Sequence, residues 1–121
     1  MSETEFNARA ERVLAAVVRT LEASPADCDC EFKGDGVLEL EFEDGSKIIV
    51  NRHGPAREIW LAAKSGGYHF RFDGARWLNT RDGGELFAAL SRCVSEQSGT
   101  PVALSERACS AGTGPSRTAG S

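Results

Sequence analysis

The sequence lacks long apolar runs and the familiar catalytic motifs. No stretch reaches the roughly 20 consecutive apolar residues of a membrane helix, and the first residues, MSETEFNARAER, lack the charged-then-apolar order of a secretory signal. There is no GxSxG, no phosphate-binding glycine loop and no pair of histidines at ligand spacing on a helix. We therefore expect a cytoplasmic protein that is not an enzyme and does not associate with membranes.

Cysteine is present, but not in a pattern that indicates a metal or redox site. The four cysteines have neither the spacing of a zinc site nor a CxxC motif. Cys28 and Cys30 are two residues apart in a predicted strand, so they share a face. Since free cysteine behaves as a small apolar residue, we expect this pair to fill the core.

Length and charge limit the protein to one small acidic domain. The chain has 121 residues, with 18 acidic against 14 basic side chains and a net charge of -4. A chain of this length supports one hydrophobic core. The acidic balance argues against nucleic acid as a partner and favours cations or basic proteins.

Two segments have the apolar periodicity of helices, one near each end. The first runs from Ser2 to about Ala23, and Ser2 with Glu5 has the spacing of a capping box. The second runs from Glu85 to about Gln97, and Gly99 is a plausible stop.

The residues between these helices alternate apolar and polar side chains, which is typical of half-buried strands. Turn signals such as Asp44-Gly45 and Gly66-Gly67 separate them. We predict an α+β fold, a two-layer sandwich with both helices on one face of a mostly antiparallel sheet of five to six strands. The predicted strands cover residues 27–32, 38–43, 48–50, 58–62, 68–72 and 76–79.

Carboxylates follow the outward positions of the first two predicted strands. Because such side chains are about 7 Å apart along a strand, they cannot form a closed cage around one ion. They can attract hard cations weakly and meet a basic surface, or they can be ordinary solvated positions. The two stripes are Asp27, Asp29 and Glu31, and then Glu39, Glu41 and Glu43.

A second group of polar residues surrounds a tryptophan on the outer face of the later strands. Trp60 is either partly covered by its surroundings or an anchor for protein recognition. His53 and His69 are either surface residues or accessory iron ligands. As candidate partner-binding residues we take Asn51, His53, Glu58, Trp60, His69 and Arg71.

The string N-R-x-x-P-x-x-x-I-W-L-A-x-K-x-G-G-Y-H-F, which begins at Asn51, resembles the bacterial frataxin (CyaY) family. The resemblance covers about residues 3–104 and implies the same helix–strands–helix order. It also implies that Val102 to Leu104 returns along the groove between the two helices. We accordingly expect a frataxin-like domain over 1–104. The residues after it are too poor in apolar side chains to offset the entropy of ordering, so we expect a disordered tail over 105–121, with Cys109 a dispensable thiol.

In that family an acidic ridge on the first helix and first strand binds iron weakly and contacts the cysteine desulfurase. The end of the first helix carries fewer acids here than is usual, so we expect fewer or weaker iron sites. Glu58 replaces the usual glutamine and could add a carboxylate to the sheet face. Glu39 and Glu41 are weaker candidates. The resemblance implies the ridge residues Glu3, Glu11, Glu22, Asp27, Asp29 and Glu31.

Three functions remain open at this point. The first, which we favour, is a regulator of iron–sulfur cluster assembly that holds Fe2+ or Fe3+ weakly on its surface and binds the cysteine desulfurase and the scaffold protein. The second is an iron-oxidising or iron-storing protein, and the third is a metal-independent interaction domain. We expect a monomer that can form oligomers with iron.

Overall fold

The computed structural model describes residues 2–34 and 36–105, which form a helix, six strands and a second helix. None of the described helices is both long enough and apolar enough to cross a membrane. A disordered tail was predicted for residues 105–121. From residue 106 onward, including Cys109, this segment lies outside the described residues. The elements are α1 Glu3–Glu22, β1 Cys28–Phe32, β2 Val37–Phe42, β3 Lys47–His53, β4 Glu58–Ala63, β5 Gly66–Phe72, β6 Trp77–Asn79 and α2 Leu86–Ser98.

The six strands form one sheet in which spatial order follows chain order. Each strand pairs antiparallel with the next, as short connections between consecutive strands favour. Both helices bury their apolar sides in the same core as the inner face of the sheet. The predicted two-layer α+β sandwich is therefore confirmed.

Helix α1 begins where the capping box predicts. The Ser2 hydroxyl accepts a hydrogen bond from the Glu5 amide, and the Glu5 carboxylate accepts one from the Ser2 amide, both at 3.1 Å. These two bonds satisfy amide groups that the first turn of a helix leaves without partners. The buried side of the helix is formed by Phe6, Ala10, Val13, Leu14, Ala16, Val17, Thr20 and Leu21.

Helix α2 ends at Gly99, whose φ of 75° is the left-handed conformation that glycine adopts without strain. The chain then returns between the helices. The hydroxyl of Ser95 accepts a hydrogen bond from the amide of Val102 at 2.9 Å, and the hydroxyl of Ser91 accepts one from Leu104 at 2.7 Å. On the other side, the hydroxyl of Thr20 in α1 accepts one from the amide of Ser105 at 3.3 Å. The predicted return path is confirmed.

The first strand is less buried than its alternation suggests. Phe32, expected in the core, is 51% exposed, and Cys28 and Cys30 are only half-buried. Strand β1 is the edge of the sheet, with a neighbouring strand on one side only, so the core covers its inner face incompletely. Trp77 is more buried than predicted. We expected it to be partly buried, but it is 4% exposed and packs against Phe6 and Phe72.

Two phenylalanines on this hairpin provide a matched test of where the core ends. Phe42 is 4% exposed, so Phe42→Ala should lower the free energy of unfolding by about 3–5 kcal/mol. Phe32→Ala removes the same atoms from an exposed position and should change it by less than about 1 kcal/mol. Urea unfolding of both variants measures the difference, and equal losses would contradict the edge position of Phe32.

Candidate functional site

The predicted metal ligands lie on α1, on β1 and in the link between them, and all six are exposed. We group them with Glu39 and Glu41 on the outward side of β2, which pair with the β1 carboxylates, and with Glu43, which follows β2. We call this set the acidic edge. It comprises Glu3, Glu11, Glu22, Asp27, Asp29, Glu31, Glu39, Glu41 and Glu43.

The register of β1 and β2 places carboxylates directly opposite one another. Asp29 pairs with Glu41, and Glu31 pairs with Glu39. Like charges in opposed positions of an antiparallel pair repel each other and destabilise the sheet. A bound cation or a basic side chain from a partner would relieve that repulsion.

Lysine side chains form ion pairs with one of these two opposed carboxylate pairs. Lys33 Nζ lies 3.1 Å from Glu31 Oε1, and Lys47 Nζ lies 3.5 Å from Glu39 Oε2. No comparable ion pair is found, among the described residues, for the other opposed pair. Lys47 lies opposite Glu41 in the register of β2 and β3, but its ammonium is paired with Glu39. Asp29 and Glu41 are therefore the opposed pair without an ion pair, and we call their position the uncompensated end.

A shallow cleft of about 360 Å³ opens at this uncompensated end. It joins two of the predicted ligands, Asp27 and Asp29, to Glu41, which sequence reasoning ranked lower, and to Glu43, which it left out of the site. The signal was available, since the short link between the two predicted strands limits which of their residues can lie opposite one another. The cleft is lined by Asp27, Cys28, Asp29, Glu41, Phe42 and Glu43.

The carboxylates of α1 do not join these groups in one site. Glu3 and Glu22 stand at the two ends of a helix about 30 Å long. Glu11 is paired at 3.5 Å with Arg52, an inward-facing residue at the end of β3. Within residues 2–34 and 36–105, no three Asp, Glu, His or Cys side chains are grouped closely enough to hold a metal ion. The acidic edge is thus a charged surface, and a closed metal cage is not present in this region.

The six candidate partner-binding residues come together on the outer face of the sheet, which also carries the outward carboxylates of β1 and β2. In the register of β3, β4 and β5, Asn51 lies opposite Trp60 and Trp60 opposite His69. One pair further along, His53 lies opposite Glu58 and Glu58 opposite Arg71. We call this two-by-three arrangement the tryptophan patch.

Trp60 is enclosed between two imidazole rings. The His53 ring lies 3.8 Å from the indole, centroid to centroid, with 9° between the planes, and the His69 ring lies 4.4 Å away at 10°. The rings are therefore stacked, and Trp60 is half-buried. The indole also stands between the two histidines, so His53 and His69 cannot converge on one iron ion as accessory ligands.

The histidine ring on the loop side is held by the backbone. His53 Nδ1 accepts a hydrogen bond from the Ala56 amide at 3.3 Å. In this contact Nδ1 is the acceptor, so the tautomer that fits it has its proton on Nε2. The ring is thereby oriented flat against the indole.

Glu58 helps to fix the position of the stacked rings by hydrogen bonding. Although Glu58 lies on the outer face, it is only 6% exposed. The expectation that it adds a free carboxylate to this surface is therefore wrong. Its Oε1 accepts a hydrogen bond from Trp60 Nε1 at 2.8 Å, and its Oε2 accepts one from Arg71 Nη2 at 2.7 Å. His69 Nδ1 is 3.7 Å from Oε1.

These partners decide the charge state of Glu58. Burial alone would raise the pKa of the carboxyl, because it disfavours the ionised form. The hydrogen bonds from Trp60 and Arg71, with the positive charge of Arg71, outweigh burial and lower the pKa below its ordinary value. Glu58 is therefore an ionised, buried hydrogen-bond acceptor at neutral pH.

The fold and these two surfaces define a small α+β protein with an acidic edge and an aromatic patch on its open sheet face. Known proteins of the same architecture match it closely. The model of the frataxin-like domain family matches residues 1–100. An iron–sulfur cluster assembly protein CyaY from Dechloromonas aromatica is 55% identical over 104 residues, which are 86% of this chain and 99% of that protein. The CyaY of Paraburkholderia phymatum is also 55% identical, over 86% of this chain and 98% of its own.

Two solved structures have the same fold. Frataxin from Psychromonas ingrahamii superposes with a TM-score of 0.78 at 32% identity, covering 84% of this chain and 96% of that one. A trimeric yeast frataxin complexed with ferrous iron superposes at 0.60, with 27% identity and coverage of 83% and 88%. The chain belongs to the frataxin (CyaY) family.

Glu58→Gln tests the support beneath Trp60. The amide replaces one acceptor by a donor facing Arg71 or Trp60, so the free energy of unfolding should fall by about 1–3 kcal/mol at pH 7. Because the folded-state pKa of Glu58 is lowered, its stabilising effect is present above the ordinary carboxyl pKa and is lost as pH falls through the lowered value. The deficit of the variant should therefore shrink in acid.

Urea unfolding of the parent and the variant, from neutral pH to about pH 3, measures this difference. Glu41→Gln is the matched control, because it neutralises an exposed carboxylate that lies opposite Asp29 and should not destabilise the protein. A Glu58→Gln deficit that is constant across the range would contradict the assigned charge state.

Proposed function

We propose that this protein regulates iron–sulfur cluster assembly as a binding module and not as an enzyme. In this proposal it holds iron weakly on the acidic edge and engages the cysteine desulfurase through the same surface. The observation that carries the proposal is the two pairs of opposed carboxylates on neighbouring strands, Asp29 with Glu41 and Glu31 with Glu39. The names of its bacterial relatives, iron–sulfur cluster assembly proteins, support the role.

Iron binding is proposed for the uncompensated end of the acidic edge. Carboxylate oxygens suit hard cations, and repulsion across the Asp29–Glu41 pair falls when a cation lies between them. The ion keeps most of its water ligands, because the described carboxylates do not converge into a cage. Binding to Fe2+ or Fe3+ is consequently weak and superficial. The ferrous complex of the yeast relative is consistent with this part of the proposal.

The desulfurase contact is proposed to be electrostatic. The carboxylates of β1 and the exposed acids of α1 present negative charge along one side of the molecule, which suits a basic surface on the partner. The basic residue Arg9 of α1 lies on the opposite side, 4.6 Å over the ring of Phe72 in β5. This separation orients the acidic edge toward the partner. Iron on the same carboxylates would change that encounter directly.

The tryptophan patch is proposed as a second contact, for the scaffold protein. Trp60 with its two stacked imidazoles offers a flat aromatic unit in the middle of a sheet face, surrounded by polar groups. Aromatic anchors with polar rims are frequent at energetically dominant points of protein interfaces. Because both ring faces are covered, the partner meets the edge of the stack and not a bare indole. We place these contacts in the cytoplasm, with the protein a monomer that can form oligomers with iron.

Charge reversal of β1 tests the desulfurase contact. The triple variant Asp27→Lys, Asp29→Lys and Glu31→Lys should weaken desulfurase binding by at least about 100-fold, roughly 3 kcal/mol, because it places repulsion where attraction was. Calorimetry or surface plasmon resonance with the purified desulfurase measures the affinity. The affinity of the parent protein should also fall with added salt.

A single-residue comparison controls for net charge. Asp29→Lys and Glu96→Lys change the charge equally, but Glu96 is an exposed residue on α2 that is not part of the acidic edge. Only the first should weaken binding. Full affinity in the triple variant would exclude the acidic edge as the desulfurase site, and equal losses in the two single variants would reduce the effect to overall charge.

A further inference from the structure

Two clefts meet at the turn between β5 and β6, and arginines border both of them. The smaller cleft, of about 110 Å³, lies between α1 and the turn, and its lining includes Arg9, Arg12 and Phe72. The larger, of about 530 Å³, lies between the turn, the start of α2 and the returning chain, and its lining includes Arg76. Ala75 lines both clefts, so they adjoin. We call Arg9, Arg12, Ala75 and Arg76, with the two clefts, the arginine surface.

The three arginines of this surface are exposed, and none of them forms an ion pair with another described residue. The carboxylates that border the clefts are bonded to backbone amides instead. Asp73 Oδ1 accepts hydrogen bonds from the amides of Ala75 and Arg76 at 2.9 and 2.8 Å. The Glu85 carboxylate accepts bonds from two amides in the first turn of α2. A protein with a net charge of -4 therefore keeps a group of cations here that it does not pair internally.

Arg9 is held in position by an aromatic ring. Its Cζ lies 4.6 Å from the centroid of the Phe72 ring, which is within the range of a cation–π contact. A guanidinium that stacks on a ring keeps its N–H donors in the guanidinium plane, where an anion can reach them. Arg12 is three residues further along α1, so the two side chains are neighbours on the helix surface. The smaller cleft is thus bordered by two cationic donor groups.

The larger cleft indicates what kind of anion fits this surface. Its volume is in the range of about 300–1,000 Å³ that is typical of ligand pockets. Phe87 and Leu104 line it and are 3% and 5% exposed, so it is built against the core. An apolar side chain gains free energy by leaving water in such a cleft. Carboxylates beside that side chain can form charge-assisted hydrogen bonds to the arginines.

A protein segment suits this combination better than a nucleic acid does. Nucleic-acid affinity depends on neutralising many phosphates with lysine and arginine, whereas this surface has three arginines on a protein of net negative charge. The clefts instead combine a few cations with apolar contacts. An acidic segment with apolar side chains offers both kinds of contact at once.

We propose that the arginine surface binds an extended acidic segment of a partner protein. In the bound state, carboxylates of the segment lie at Arg9 and Arg12, and an apolar side chain occupies the larger cleft. The segment crosses over Ala75, whose small exposed side chain leaves the path between the two clefts open. No residue of the acidic edge or of the tryptophan patch takes part. The inference therefore goes beyond the proposed role in cluster assembly and does not depend on it.

Fluorescence anisotropy of the full chain with a labelled peptide of alternating glutamate and leucine tests the proposal. We expect saturable binding that weakens with added salt, and loss of binding when glutamine replaces glutamate in the peptide. Arg12→Glu should weaken binding by at least about 10-fold, because attraction becomes repulsion. Ala75→Glu should have a similar effect, since it adds bulk and negative charge at the crossing point.

Lys64→Glu is the matched control for Arg12→Glu, because it changes the net charge equally. Lys64 precedes the start of β5, whereas Phe72 ends that strand about 20 Å away. The control should bind within about 2-fold of the parent, as expected for one distant surface charge. All three substituted positions are exposed, so folding should be unaffected, which circular dichroism checks. A parent protein that does not bind the peptide, or equal losses in Arg12→Glu and Lys64→Glu, would overturn the proposal.

Two other occupants are outcomes of the same experiment. Tighter binding of a single-stranded oligonucleotide of equal charge, lost in Arg12→Glu, would assign the surface to nucleic acid. Self-association in sedimentation, abolished by Arg12→Glu, would assign it to the acidic edge of a second copy. Either result would contradict the proposal. Asp29→Lys, which tests the desulfurase contact, should not weaken peptide binding, so the two proposals fail independently.

Discussion

Antiparallel pairing of six consecutive strands decides where each functional side chain of this protein lies. Every residue on a strand is opposite a defined residue on its neighbour, and alternate residues face either the helices or solvent. On the inner face this pairing produces a continuous core with α1 and α2. On the outer face it brings together Trp60, His69 and Asn51 from three strands, and it places the acids of β1 against those of β2.

The tryptophan patch and the β1–β2 end of the sheet therefore differ in how their charges are paired. Around Trp60 the charges are internally satisfied, because Glu58 is bound by both the indole and Arg71, so this surface is shaped mainly by aromatic stacking. At the β1–β2 end no ion pair is found, among the described residues, for the opposed Asp29 and Glu41, although Lys47 lies opposite Glu41 on β3. On the inner side of the same edge strand, Cys28 and Cys30 are half-buried against the core.

Most of the fold followed from local sequence signals. The capping box at Ser2, the helix stop at Gly99 and the alternation of β2 to β5 are each determined within a few residues, and the structure confirms them. Phe32 was placed wrongly, because alternation identifies the face of a strand but does not show that an edge strand extends beyond its cover. The same limit applies to Cys28 and Cys30, whose half-burial depends on where α1 ends.

The arrangement of the site was harder to predict than its members. The six residues of the tryptophan patch were identified from the alternation of inward and outward residues along each strand. The burial of Glu58 and the stacking on Trp60, however, depend on side-chain contacts between strands. The cleft that adds Glu41 and Glu43 to Asp27 and Asp29 depends on the hairpin register. The assignment of the ridge carboxylates to iron and to the desulfurase remains a prediction.

The central claim is that iron and the desulfurase share the acidic edge, and residue-resolved NMR tests it most directly. The labelled protein is titrated with Fe(II), or with a diamagnetic surrogate, and separately with the desulfurase. The account predicts that both ligands shift or broaden the amides of Glu11, Glu22 and residues 27–31. If the metal instead perturbs only His53, Glu58 and His69 while the desulfurase perturbs the acidic edge, the two ligands bind at separate sites and the shared-site account is wrong.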